Sequence, residues 1–241
     1  MSFNNRTGLG LALLDYFNGD TSAAIIVHDE LGQKHERPVS LFFREPTEFP
    51  VREKEALGLC RGRILDVGAC VGRHSLLLQE QGFSVCAVDI VPQCVEIMKR
   101  RGVEDAHCAD ILVFQAEPFD TVLCLMNGVS VAGSLANFQP FLTHMRELTN
   151  AGGQLLIDST DVRELPELSA LLDRNAQTGR YFGEMEVRIE YKNIIGEPFK
   201  ELFIDPDLLS EAAIKSGWTC QIILREKGGR YLAQLIAGEA S

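Results

Sequence analysis

Arg63-Ile64-Leu65-Asp66-Val67-Gly68-Ala69-Cys70-Val71-Gly72-Arg73-His74-Ser75-Leu76-Leu77-Leu78 reads in succession as a buried strand, a glycine turn and an amphipathic helix. A second short apolar strand, Val85-Cys86-Ala87-Val88, follows that helix and ends at Asp89. A carboxylate at the tip of the second strand accepts hydrogen bonds from both hydroxyls of a ribose. The pair of elements therefore points to a nucleoside-cofactor site on an α/β sheet. The other reading of the same residues is an ordinary strand-turn-helix without a ligand.

The glycine spacing narrows the cofactor. A dinucleotide turn needs Gly-x-Gly-x-x-Gly, whose third glycine lets helix and strand pack closely. Counted from Gly68, the second slot holds Cys70 and the third Arg73, so two of the three glycines are missing. The pattern acid-x-Gly-x-Gly-x-Gly fits better, with Asp66, Gly68 and Gly72 in place and Cys70 departing. A non-glycine residue at a left-handed position is strained. Either the turn adopts a negative φ at Cys70, which is the expectation, or cofactor binding is weakened.

The rest of the chain supports an α/β core. It has 241 residues, 46% of them hydrophobic, enough for one α/β domain with an accessory cap. Its net charge is −11. The densest basic run is Lys99-Arg100-Arg101 at a helix end, where the dipole favours cations anyway. The reading is a small-molecule substrate and no nucleic acid. Seven cysteines with no Cys-x-x-Cys pair, and histidines without ligand spacing, suggest a reducing compartment and no metal. Met1 to Arg6 lacks the pattern of a secretory leader, and no stretch approaches ~18 consecutive apolar residues. The expectation is a cytoplasmic protein with no membrane partner, a monomer or homodimer.

Expected core strands are Ile64–Val67, Ser84–Val88, Asp105–Ala109, Thr121–Met126 and Gln154–Asp158. Helices are expected at Gly72–Glu80, Pro92–Arg101 and Pro140–Leu148, both prolines in first turns, with Asn150-Ala151-Gly152-Gly153 as a stop and turn. This alternation implies a parallel sheet with right-handed crossovers, whose ligands lie at the carboxyl ends of the strands. Residues 1–60 read as a helix from Leu9 to Phe17, a hairpin of Ala23–Val27 and Pro38–Phe43, and a helix through Glu53–Leu57. After Ser159 come a helical stretch, an alternating strand Glu184–Tyr191 with a partner at Phe199–Ile204, a helix capped by Asp205, and a last hairpin. The expected division is 1–60 as an N-terminal cap, 61–159 with 205–241 as the core, and 160–204 as an inserted cap that roofs the site with the hairpin.

The ordered set of motifs resembles the class I, Rossmann-like S-adenosylmethionine-dependent methyltransferases. Phe42-Phe43-Arg44, Leu65–Ala69, His74-Ser75-Leu76, Leu125-Met126-Asn127-Gly128, Asp158–Asp161 and Tyr181–Glu184 look like a bacterial subgroup of that class. The resemblance implies a doubly wound, mostly parallel seven-stranded sheet with an antiparallel terminal strand, plus a small antiparallel cap. It implies S-adenosyl-L-methionine as cofactor and a methyl acceptor that it does not identify. It assigns Asp66, Gly68, Ala69 and Gly72 to the turn around the methionine moiety, and Asp89 to the ribose. Ile90 and Ile111 would sandwich the adenine, and Asp110 would take its amino group. Asp89 and Asp110 read alternatively as helix N-caps. Arg44 either clamps a carboxylate or pairs with Glu45 or Glu48.

For chemistry the resemblance offers His74, Asn127 and Asp158, with Asp161, Tyr181 and Glu184 near the expected mouth. His74 is either a neutral base or a helix-face histidine bonded to backbone. Asn127 either orients cofactor or acceptor, or caps the strand end. The Asn/Asp-Pro-Pro-aromatic sequence associated with methylation of exocyclic base amines is absent, since Met126-Asn127-Gly128-Val129 stands there. Two other functions fit the same residues. One is a non-catalytic relative that binds the cofactor or serves in interactions. The other is an NAD-dependent oxidoreductase, against which the glycine spacing speaks.

Overall fold

The computed structural model describes residues 6–238. Residues 1–5, which carry most of the leader reading, lie outside them. In chain order the elements are α1 (Thr7–Phe17), β1 (Ala24–Asp29), β2 (Lys34–Pro38), α2 (Val51–Gly58), β3 (Ile64–Val67), α3 (Arg73–Glu80), β4 (Val85–Asp89), α4 (Pro92–Arg101), β5 (Asp105–Cys108), β6 (Phe119–Cys124), α5 (Leu135–Glu147), β7 (Thr149–Thr160), α6 (Ser169–Thr178), β8 (Glu184–Tyr191), β9 (Ile194–Ile195), β10 (Phe199–Leu202), α7 (Pro206–Lys215), β11 (Trp218–Arg225) and β12 (Arg230–Ala237). Seven strands form one mixed sheet in the order β11-β12-β7-β6-β3-β4-β5. In it β4 pairs parallel with β5, β6 parallel with β7, and β12 antiparallel with β7 and β11. This is the α/β fold expected from the strand-helix alternation. A second sheet runs β10-β8-β1-β2, with β9 on β8.

Contacts divide the chain into two compact units, residues 1–50, 66–114 and 186–199, and residues 51–65, 115–185 and 200–241. In the first unit, the small side chains Ala87 of β4 and Ala106 of β5 leave room for Val95 and Met98 of α4, with Ala69 and Val103 closing the cluster. Burial of these apolar surfaces is what fixes α4 on the strands. Arg100 lies over the Phe17 ring, and Arg101 over Phe43, which itself stacks on Tyr16. The basic run at the end of α4 thus does more than complement the helix dipole. Also in this unit, β8 pairs antiparallel with β1 from Ile26↔Glu190 to Asp29↔Val187. Asp15 of α1 accepts hydrogen bonds from Tyr191 and Lys192 at 2.8 and 2.6 Å. The antiparallel strand expected at Glu184–Tyr191 therefore shares a sheet with the N-terminal hairpin, a pairing that period-two alternation alone does not specify.

In the second unit, Phe138, Phe141, Leu142 and Met145 form the buried stripe of α5. That stripe needs a helix beginning well before Pro140, so Pro140 sits inside α5 and not in its first turn. Asp205 caps α7 as expected, accepting from the amides of Asp207 and Leu208. Several boundaries differ from the sequence reading, among them β6, which runs Phe119–Cys124 instead of reaching Met126. Pro38 ends β2, and Val39–Phe42 is a 3₁₀ turn instead of a strand. Asn150–Gly153 is a bulge within β7, lying opposite Asp120 between the pairs Phe119↔Thr149 and Thr121↔Gln154. Asn150 Nδ2 donates to Asp120 Oδ1 at 2.9 Å, and Gly152 has φ +69°. The turn chemistry read from those residues is present, but it interrupts a strand that had already begun.

Candidate functional site

Most of the residues assigned to a cofactor lie in the first unit and are brought together there. Asp66 ends in a buried environment, 2% exposed, and its Oδ2 accepts from the Ser75 hydroxyl at 2.6 Å. Burial pushes its carboxyl above the usual range, opposed by His74, by Ser75 and by Arg73. Gly68 has φ +69° and donates its amide to Val88 O at 2.8 Å. Gly72 has φ +75°, and a Cβ there would lie 2.7 Å from Val103 Cγ2. The second glycine therefore serves close packing as well as left-handed backbone. Arg101 Nη1 donates to Val71 O at 2.6 Å and ties α4 to the turn.

Cys70 lies in the left-handed region at φ +53°, contrary to the expectation of a negative φ. The reason is at β4. The Cys70 amide donates to Asp89 Oδ2 at 2.8 Å, and the Val91 amide donates to Asp89 Oδ1 at 2.8 Å. Asp89 thus uses one lone pair on each oxygen to hold two turns, and these contacts keep Cys70 in a conformation glycine would adopt freely. A carboxylate has about four acceptor positions. Among the described residues two on Asp89 remain, the number a ribose diol requires. Burial pushes the Asp89 carboxyl up, while the amides of Val91 and Cys70 oppose it. The Cys94 thiol of α4 is hydrogen-bonded with Cys70, and that contact together with burial raises it well above the usual thiol range.

Relieving the left-handed strain is a direct check of this geometry. A non-glycine residue there costs ~1–2 kcal/mol. Cys70→Gly is expected to stabilise the fold by about 1 kcal/mol, read as a higher urea midpoint with an unchanged slope. Cofactor affinity should remain within a few-fold.

Ile90 is half-buried and Ile111 is 5% exposed. The Asp110 carboxylate accepts from the Leu112 amide at 3.0 Å, a local turn and not a helix cap. Arg44 is half-buried and is not paired with Glu45 or Glu48 among the described residues. Those acids are spent on each other's backbone in the capping box of the Pro46–Glu48 turn. His74 is 6% exposed in α3, its ring edge-on to Phe49 at 5.3 Å, and Arg73 lies over the same Phe49 ring at 4.8 Å.

The second unit gathers the other candidates. β6 ends at Cys124, and the turn after it places both Met126 and Asn127 at φ +65°. Two successive left-handed residues without glycine persist only where their surroundings over-determine them. Asp158 does so. It is 2% exposed, its Oδ1 accepts from the Gly128 amide at 3.0 Å, and its Oδ2 accepts from Arg52 Nε at 3.0 Å. Arg52 Nη1 in turn donates to Glu226 Oε2 at 2.6 Å. Burial raises the Asp158 carboxyl, opposed by the Gly128 amide, by Arg52 and by the Asn127 amide. Asn127 Nδ2 donates to Leu202 O at 3.2 Å, and its Oδ1 accepts from the Ser159 hydroxyl at 3.4 Å. Tyr181 donates to Asp205 Oδ2 at 2.7 Å, Asp161 holds Arg163 through two bonds of 2.8 and 2.7 Å, and Glu184 Oε1 accepts from the Leu135 amide. Burial raises Tyr181 far above the usual phenol range. Arg52 and Glu226 carry no local signal that sequence reading could have used. Ser75 did carry one, being a hydroxyl in the first turn of the helix that follows the glycine turn.

Comparison with known proteins places the chain in a family. Residues 65–157 match a family described as a methyltransferase domain. The chain is 36% identical to a S-adenosylmethionine-dependent methyltransferase from Bacteroides fragilis, solved in complex with S-adenosyl-L-homocysteine. That likeness covers 98% of this chain and 96% of the other, with a TM-score of 0.85. The chain belongs to the class I S-adenosylmethionine-dependent methyltransferases. It shares the fold, at 16% identity, of a sugar N-methyltransferase from Streptoalloteichus sp, over 84% of this chain and 94% of that one with a TM-score of 0.59. Among curated proteins it is 32% identical over 77 residues to a ubiquinone biosynthesis O-methyltransferase from Xylella fastidiosa, 29% of this chain. The chain spans about a third, 31%, of the length of that relative.

Proposed function

We propose that the protein transfers a methyl group from S-adenosylmethionine to a small-molecule acceptor. The observation that carries this is Asp89, which holds the glycine turn with two lone pairs and keeps two for a diol. Asp66, Gly68, Ala69 and Gly72 would hold the methionine end, with Ile90, Asp110 and Ile111 at the adenine and Arg44 toward the cofactor's polar groups. When bound, the cofactor supplies a methyl group on a sulfonium whose leaving group is a neutral thioether. The chain's own task is then mainly alignment, since a base is needed only for a nucleophile that arrives protonated.

In this reading Asp158 is a positioning residue. The Gly128 and Asn127 amides and the Arg52 guanidinium converge on its buried carboxylate, so it fixes the Met126–Asn127 turn instead of accepting a proton. His74 is enclosed by Phe49 and stands beside Asp66, which suits support of the turn better than access to an acceptor. Asn127, in the strained turn, orients the acceptor. Two of these relatives, a sugar N-methyltransferase and a ubiquinone biosynthesis O-methyltransferase, support a small molecule. Among the described residues no helix is long and apolar enough to cross a membrane. A cytoplasmic enzyme, monomer or homodimer, completes the reading.

Calorimetric titration with S-adenosylmethionine, S-adenosylhomocysteine and NAD is the first test. Binding of the first two and not the third is expected, and failure to bind the methyl donor would sink the proposal. Incubation of metabolite extracts with methyl-labelled donor then identifies the acceptor. Label transferred to macromolecular nucleic acid, with none in the small-molecule fraction, would overturn the acceptor class.

A further inference from the structure

We propose that Cys86, Asp105 and His107 form a binding site for one zinc-class divalent cation. Their side-chain ligand atoms all lie within 4.8 Å of one another. The cluster is produced by strand register. Cys86 of β4 pairs with Asp105 of β5, and Val88 with His107. Paired residues of parallel strands, and residues two apart on one strand, share a face. The opposite face of the same strands carries Ala87 and Ala106 into the apolar cluster with α4, so the three ligands stand on the side away from that core.

The donor set has the chemistry of zinc, with one thiolate, one imidazole and one carboxylate, and with a fourth position left for water. A tetrahedral ion with bonds of ~2.0–2.3 Å needs ligand atoms roughly 3.3–3.8 Å apart. Small side-chain rotations reach that spacing from the present one. His107 Nε2 and Asp105 Oδ1 are hydrogen-bonded at 2.6 Å, a contact that a cation would replace. The depth of the three residues also suits a site. Cys86 is buried at 3% exposure and forms the floor, while the side chains of Asp105 and His107 are half-exposed at 50% and 47% and form the mouth. The Phe114 ring lies 5.7 Å from the imidazole and restricts its orientation. β5 is the edge strand of the sheet, and no helix intervenes between it and β6, so the mouth stays accessible. Sequence spacing hides the set, because Cys86 and Asp105 are joined only by the pairing of β4 with β5.

The test is titration of the reduced, metal-stripped full chain with cobalt(II), then zinc. One equivalent of cobalt is expected, with a thiolate-to-cobalt charge-transfer band and the intense visible bands of four-coordination, all displaced by zinc. Cys86→Ala should abolish the charge-transfer band. His107→Ala, at an exposed side chain that does not support the core, should weaken cobalt binding at least about ten-fold. That variant decides the matter even if Cys86→Ala fails to fold. Cys108→Ala, which removes the exposed thiol nearby, should leave the band unchanged. Absence of a thiolate band in excess cobalt, its persistence in Cys86→Ala, unaltered affinity in His107→Ala, or its loss in Cys108→Ala each overturns the site.

Discussion

Asp89→Ala is expected to weaken S-adenosylmethionine binding by about 100-fold or more in a calorimetric titration, which corresponds to about 2.7 kcal/mol. The magnitude follows from the two acceptor positions left on the carboxylate. A hydrogen bond to a charged group contributes ~1.5–3 kcal/mol, so losing two exceeds that threshold. The same substitution leaves the Cys70 and Val91 amides without their acceptor. Each such loss costs ~1–3 kcal/mol, so a lower urea midpoint accompanies the weaker binding. Asp89→Asn separates the two contributions. It keeps the volume but turns one oxygen into a donor that faces an amide N–H, so it also destabilises the turn while retaining one acceptor. Its affinity should fall between those of the wild type and Asp89→Ala. Affinity within a few-fold of wild type in a folded Asp89→Ala protein would move the ribose site elsewhere.

Arg52→Met should destabilise the fold by about 3–5 kcal/mol at neutral pH, because it leaves the Asp158 carboxylate buried without its cation. Asp158 already has its folded-state carboxyl raised by burial, with Arg52 among the groups that oppose the rise. Removing Arg52 raises it further. Below the unfolded value of 3.8 the carboxyl is neutral in both states, and this part of the deficit is absent. As pH rises through the variant's higher folded value, the native state must ionise a buried group, and the deficit grows to its full size. Urea unfolding of both proteins from mild acid to neutral pH measures it. A deficit that is constant across that range would mean that Arg52 contributes through packing and not through Asp158.

Much of this was legible in local sequence. Strand-helix alternation placed β3 and α4 at their observed bounds, because four buried residues or a Pro-led helix with a basic end leave few alternatives. The glycine turn and Asp89 were legible because backbone conformation and cofactor chemistry act within a few residues. What was not legible depends on partners distant in the chain. Cys70 takes a left-handed φ because of Asp89, which its own side chain does not announce. Pro140 is overridden by the apolar stripe around it. Arg52 reaches Asp158 across 106 positions, and no periodicity encodes that. The strands and turn around Asp66 and Asp89 therefore lie where local sequence placed them, whereas the surroundings of Asn127 and Asp158 emerged only from tertiary contacts.

The pairing of β1 with β8 has a consequence for biosynthesis. β2 closes one side of β1 with the exposed, charged run Lys34-His35-Glu36-Arg37, which guards the outer edge. The other side of β1, from Ile26 to Asp29, acquires its partner only when Val187–Glu190 has been made. At translation rates of about 5–20 residues per second, the nascent hairpin waits roughly ten to thirty seconds with one unpaired edge. Throughout that interval the ribosome-bound chain presents one unpaired strand edge, the feature that admits adventitious strand addition.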